Sequence, residues 1–125
     1  MVVQGWSTRL HERDAAYLWD IVNAVRELTR FLAGKPFSDL TSDRVLRLAV
    51  ERELEIIGEA ARRVSQGFRD EHAEVPWSSI IGLRNVLAHE YGDVKLERIW
   101  VIATERVPEL AATLEPLIPP VPDDQ

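Results

Sequence analysis

The sequence predicts an all-α protein, an antiparallel bundle of four to five helices. Three observations carry this expectation. Apolar residues recur at alternating spacings of three and four through most of the chain, the period of a helix with one buried face. No stretch reads convincingly as a strand. Glycines follow the periodic stretches and the links between them are short, which favours neighbours that run antiparallel.

The first helix is expected over about residues 10–33, with Leu18, Ile21, Val25, Leu28 and Leu32 on its stripe. Gly34 is a natural C-terminal cap, and Pro36 prevents continuation. The second covers about residues 42–66, capped by Thr41 or Ser42, with Leu46, Val50, Leu54, Ile57, Ala61 and Val64 on its stripe and Gly67 closing it. Glu53 lies beside Val50, Leu54 and Ile57, so it should either pair with an arginine or lie at the edge of that stripe, and the edge is expected. "GFRDEHAEVP" (67–76) reads as a polar connection with room for one helical turn.

A third, short helix is expected over about residues 77–90, with Trp77 placed to act as a hydrophobic staple and Gly92 as its stop. Asp93 can cap the fourth, whose stripe is Leu96, Trp100, Ala103, Val107, Leu110, Leu114 and Leu117. Pro108 falls inside that pattern and removes a backbone donor, so the last helix should kink or split there. The helical domain is thus expected over residues 1–117. Residues 118–125, proline-rich and acidic, are expected to be extended or disordered. Trp6, Trp19, Trp77 and Trp100 read as core or interface anchors.

Composition narrows the function. A chain of 125 residues, 46% of them hydrophobic, suits one domain with a real core. With no cysteine it holds neither a disulfide framework nor a thiolate metal site. "MVVQGWSTRL" lacks the basic start and long apolar run of a signal peptide, and no apolar stretch approaches the ~20 residues of a membrane span. A cytoplasmic protein with no membrane partner is expected. The net charge of -6 argues against a uniformly basic nucleic-acid binder. Any contact with RNA must use locally concentrated positive charge, or charge brought together by two chains.

The chemistry concentrates in "LRNVLAHEYGD" (83–93). Each helical residue turns the chain by about 100°, so Arg84 and Tyr91 share nearly one line, as do Asn85 and His89. Arg84 and His89 point roughly 140° apart, so a single helix does not aim both at one atom. Two copies packed about a two-fold axis can, which suggests a homodimer. Histidine trades protons near neutral pH, and arginine grips phosphate bidentately. With Asn85 to position them, they suffice for metal-free RNA cleavage through attack of the ribose 2'-OH on the adjacent phosphorus. A plainer reading fits the same residue types: a histidine that bonds the last carbonyls of its helix and an arginine in an ordinary ion pair.

The segment "RNVLAHEY" (84–91) resembles the R-x4-H-x-Y signature of the HEPN superfamily, and more narrowly of its HepT-like toxins, the DUF86 family. "EIIGEAARRVS" (55–65), "VPWSSIIGLRN" (75–85) and "LERIWVIATERVPELAATL" (96–114) resemble that family's other blocks, in order, so the likeness covers about residues 13–114. It implies an all-helical bundle that dimerises through its motif helices. It implies a toxin with metal-independent endoribonuclease activity, encoded beside a minimal nucleotidyltransferase antitoxin. Arg84 and His89 would be catalytic, Asn85 would support the site, and Tyr91 would accept AMP from ATP when the antitoxin acts. The rival reading is a non-catalytic HEPN module that docks a nucleotidyltransferase and helps it hold a substrate.

Other groups are weighed against this set. His11, His72 and His89 are far apart, and neither "HERDA" nor "HEYGD" has the second histidine that a zinc-binding helix needs, so no metal and no cofactor is expected. Glu59 could orient Arg84 through an ion pair or could simply be solvated. Arg62, Arg63 and Arg69 could meet RNA backbone, and a solvated helix face explains them equally well.

Overall fold

The structure is a computed structural model. It describes the backbone of residues 2–89 and 92–118 and the side chains of residues 13–88 and 95–118. The described backbone is helical, with no strand: α1 (Val2–Leu32), α2 (Phe37–Ser42), α3 (Arg44–Arg63), α4 (Gln66–Glu71), α5 (Trp77–Ile81), α6 (Leu83–His89), α7 (Gly92–Val101) and α8 (Val107–Leu114). A π-helical turn (Ile102–Arg106) joins α7 to α8, and a 3-10 turn (Glu115–Leu117) follows α8. Among the described residues no helix is long and apolar enough to cross a membrane. Trp6, His11 and residues 119–125 lie outside the described side chains.

The core forms where the apolar stripes meet. Leu18, Ile21 and Leu28 of α1, Val50, Leu54 and Ile57 of α3, and Ile99 and Leu114 near the C-terminus are fully buried. Helices α1 and α3 run antiparallel, because Asp14 bonds Ser65 just beyond the far end of α3 while Glu27, further along α1, meets Glu53 in its middle. α8 closes the bundle against α1, with Arg26 bridging to Glu115 at 3.0 Å. Helix α1 stops at Gly34, whose φ of 71° is open to glycine at little cost.

Several boundaries differ from expectation. Residues 37–42 form their own turn, α2, in which the Thr41 and Ser42 hydroxyls donate to the Ser38 carbonyl at 2.7 and 3.0 Å. Asp43 therefore caps α3, accepting from the Leu46 N–H at 3.1 Å. Helix α3 ends at Arg63 and not at Gly67, which lies within α4. The cause is Ser65: the buried Asp14 carboxylate accepts from its backbone N–H at 2.8 Å and from its hydroxyl at 2.7 Å. That hydroxyl in turn accepts from Phe68 N–H and starts α4.

The expected third helix is two. Trp77 opens α5, where its indole is buried against Phe68 and its Nε1 donates to the His72 carbonyl at 3.0 Å. It is a core residue of the helix itself, and Pro76 takes the cap position before it. The chain breaks step at Gly82 and resumes as α6. Gly92 opens α7 rather than closing the preceding helix, which places Asp93 inside α7 and not before it.

The last helix is divided at Pro108 as expected: a π-helical turn separates α7 from α8, and Pro108 sits in the first turn of α8. The preceding turn widens, and the Val107 N–H reaches back to the Ile102 carbonyl, the five-residue step of a π-helix. A proline cannot donate to the carbonyl four residues earlier and would clash with it, so the wider turn moves that carbonyl aside. Glu53 is placed differently from expectation. It is 7% exposed, buried between α3 and α1. Its Oε1 has no hydrogen-bond partner, and its carboxyl is pushed up to about 7, first by burial and then by the neighbouring Glu27 carboxyl.

Candidate functional site

The motif residues sit on α6, and the sequence explains how that short helix is held. Leu83 is buried and Leu87, four residues on, packs against the core, so one side of α6 faces inward. Arg84, Asn85 and Ala88 fall on the opposite side and are exposed. The α5–α6 pair lies unusually close to α3 at Gly58. A β-carbon there would meet the Ile80 carbonyl oxygen at 3.2 Å, so any side chain would press the two backbones apart by a few tenths of an ångström.

This close approach leaves a surface groove of about 320 Å³ between α3 and α6. Arg52, Glu55, Glu59 and Arg62 line it from α3, and Arg84 lines it from α6, over a floor of Gly58 and Ile81. The four α3 residues recur at spacings of three and four, so they form one outward stripe of that helix.

The groove's charges are unequally engaged. Glu59 accepts from Arg62 at 2.8 Å and from Arg63 at 3.1 Å. Those two hydrogen bonds hold its carboxyl down to about 2. Arg63 is raised in turn, mainly by Glu59 and then by Tyr17. The ion pair between Glu59 and Arg84 that would orient the motif arginine is therefore replaced by pairs within α3, although both residues line one groove. Among the described residues Arg84 makes no hydrogen bond or ion pair, and neither does Asn85. Arg69 lies away from this stripe, on α4, with its Nε buried and unpartnered.

The structure thus brings Arg84 together with Glu59 and Arg62, and sets Asn85 beside it on the exposed side of α6. The backbone of His89 completes α6, so the azimuthal separation of roughly 140° between it and Arg84 applies to a continuous helix. The side chain of His89 and all of Tyr91 lie outside the described residues. Sequence reading passed over Arg52. The signal that could have found it is the 52-55-59-62 stripe, a second polar line on a helix whose apolar line was already assigned.

A wider groove, about 950 Å³, lies on the other flank of α6, between α5–α6 and α7–α8. Leu83, Val86, Val101, Ile102 and Leu110 form an apolar strip along it, flanked by Glu74, Glu97, Arg98, Arg106 and Glu109, and Val101 is exposed there. Among the described residues no three histidine, aspartate or glutamate side chains converge as metal ligands would. Taken by itself, the narrower groove suits an anion with regularly spaced charges: Arg84 and Arg52, neither bonded among the described residues, with Arg62 further along α3.

Comparison with known proteins agrees with this chemistry. A family model described as "Ribonuclease HepT-like" matches residues 21–117. A protein of Methanocaldococcus jannaschii is 35% identical over 107 residues, covering 85% of this chain and 98% of the relative. One from Caldanaerobacter subterraneus subsp. tengcongensis is 37% identical over 102 residues, covering 82% and 91%. Both carry the name "Putative RNase". A third, from Thermococcus cleftensis, is named "Probable ribonuclease HepT" and is 35% identical over 101 residues, covering 81% of this chain and 92% of its own. No solved structure gives a significant match.

Proposed function

Since the chain belongs to the HepT-like ribonuclease family, we propose that it is a metal-independent endoribonuclease, the toxin of a toxin–antitoxin pair. The observation that carries this reading is Arg84, exposed on a groove beside the helix that also bears His89 and bonded to no group among the described residues. Such a guanidinium is ready to engage a phosphodiester without first breaking an internal ion pair.

In the proposed reaction His89 takes the proton of a ribose 2'-OH. The 2'-oxygen bonds to the adjacent phosphorus and the bond from phosphorus to the 5'-oxygen breaks. The leaving 5'-oxygen is protonated, giving a 2',3'-cyclic phosphate and a 5'-OH end. Arg84 stabilises the charge that builds on the non-bridging oxygens, and Asn85 holds the reacting groups in register. Because Arg84 and His89 diverge around α6, the working site is completed by a second copy of the chain. The apolar strip along the groove on the other flank of α6 supports a homodimer that packs near the motif helix. A minimal nucleotidyltransferase antitoxin would neutralise the enzyme by transferring AMP to the Tyr91 hydroxyl. The added phosphate would repel RNA from the groove. Residues 1–117 would constitute the domain and 118–125 its tail.

The test is cleavage of tRNA and mRNA by the purified protein in EDTA, with His89→Ala beside it. Loss of a general acid–base group should lower the rate by about 10²–10⁴-fold. Fragments should carry cyclic phosphate ends. If the parent leaves RNA intact but binds the nucleotidyltransferase tightly, the non-catalytic module replaces this reading.

A further inference from the structure

The proposed chemistry uses one arginine of the groove, yet the groove holds three, and they are not equivalent. Arg62 is spent on Glu59 at 2.8 Å. Arg52, at the other end of the α3 stripe, makes no hydrogen bond or ion pair among the described residues. Its charge acts on the buried Glu53 one residue along, but no atom of its guanidinium is held there. Its side chain is exposed and lines the same groove as Arg84. Two guanidiniums without a bonded partner among the described residues, from two helices in close contact at Gly58, therefore share one depression, with Glu55 beside them on α3, likewise unbonded among the described residues. Cations left unbonded in this way fit a surface that meets an anion from outside.

We propose that Arg52 is a second phosphate contact of this groove, holding the RNA backbone at a position next to the phosphodiester that Arg84 engages. The proposal rests on the ribonuclease reading and adds a substrate-binding role distinct from the reacting set. Ten residues of helix separate Arg52 from Arg62, a rise of about 15 Å, so Arg52 marks the end of the groove away from the neutralised pair. A strand entering past Arg84 toward Arg52 meets two guanidiniums that no group among the described residues bonds, whereas Arg62 and Arg63 at the other end are already bonded to Glu59. Arg52 would thus set the direction of the strand as well as its affinity.

The test is binding of a fluorescein-labelled single-stranded RNA to the full chain in the His89→Ala background, which keeps the RNA intact, over a series of salt concentrations. Arg52→Ala should weaken binding about 5- to 10-fold at low salt and lower the slope of log K against log salt by about 0.7, the loss of one phosphate contact on a single strand. Arg52→Lys should restore most of the slope. Lys35→Ala, which removes a charge from the turn after α1, should change neither. In the active background Arg52→Ala should raise KM and leave kcat nearly unchanged. Unchanged affinity and slope in Arg52→Ala, with Arg84→Ala impaired, would overturn this role and leave the ribonuclease reading standing. A parent protein that neither binds nor cleaves RNA would overturn both.

Discussion

Helix α3 presents two faces to two different environments, and one glutamate on each records the contrast. Glu53 and Glu59 are six residues apart, about 120° around the helix. Glu53 is buried against α1 and lifted to about 7; Glu59 is on the groove side and held down to about 2. The inner face offers no cation in hydrogen-bonding contact, so burial dominates, with the Glu27 carboxyl adding to it and Arg52 and Arg30 only partly opposing. The outer face offers two guanidiniums at bonding distance, and they dominate despite open solvent. The inner face therefore tolerates a carboxyl by keeping it protonated over part of the pH range. The outer face can arrange charges freely, pairing Glu59 and leaving Arg52, opposite Arg84 of α6, with no bonded partner among the described residues.

The sharpest way to break this contrast is to remove an open charge and ask what is lost. Arg84→Ala should lower RNA cleavage by about 10²–10³-fold, the usual effect of deleting a donor to developing negative charge. Its urea midpoint should not move, because the side chain is exposed and makes no bond among the described residues. A fall in the midpoint with cleavage retained would make Arg84 a structural residue and erase the distinction between the faces.

The inner side should show the opposite pattern. Asp14, 2% exposed, accepts two hydrogen bonds from Ser65 and fixes the junction between α3 and α4. Asp14→Ala leaves a partly buried N–H and a hydroxyl without their acceptor, and should cost about 2–3 kcal/mol in urea unfolding. Asp14→Asn should recover part of that. A cost within error of zero would mean that the junction is held by the apolar contacts alone.

Glu53 gives a smaller effect with a definite sign. Its folded pKa is raised, so between about 4.5 and about 7 the native state binds more protons than the unfolded one. Its contribution to stability is fully present below about 4.5 and is lost as pH rises through about 7. Glu53→Gln should flatten the stability profile in that window when unfolding is followed at several pH values. Identical slopes in the two proteins would show that Glu53 does not titrate there.

The sequence pattern was a good guide wherever a local period decides the outcome. The stripes of α1 and α3 were read correctly down to Leu18, Ile21, Leu54 and Ile57, and Gly34 does cap α1. It was a poor guide wherever a distant partner decides. Ser65 ends α3 because Asp14, fifty-one residues away in the chain, holds it. Glu53 is inside because α1 covers that side of α3, which no property of α3 alone reveals. Competition among neighbours was equally hidden: Thr41, Ser42 and Asp43 are all plausible caps by type, and the outcome turned on Ser38 taking the two hydroxyls. For the site, R-x4-H marked α6 and the exposed pair Arg84 and Asn85. It carried no trace of the groove, which exists because Gly58 lets two helices touch and so brings Arg52 into range of Arg84.

The finest test concerns the neutralised end of the groove. Glu59→Gln removes the acceptor that Arg62 and Arg63 share and leaves its shape nearly unchanged. Glu59 is ionised and paired at neutral pH, and the pairs weaken only as pH falls from about 4.5 toward about 2. At pH 7 the substitution should not move the urea midpoint, since exposed ion pairs add little to stability. It frees two guanidiniums beside Arg84, so affinity for single-stranded RNA should rise about two-fold at low salt, with the gain disappearing at high salt. The direction of that small change is what matters. A rise means that Glu59 restrains the groove by occupying its arginines. A fall, with kcat reduced as well, means that the carboxylate orders those arginines, or Arg84 itself, for the substrate. In that case the outer face of α3 is as tightly organised as the inner one, and its open charges are open by arrangement rather than by lack of a partner.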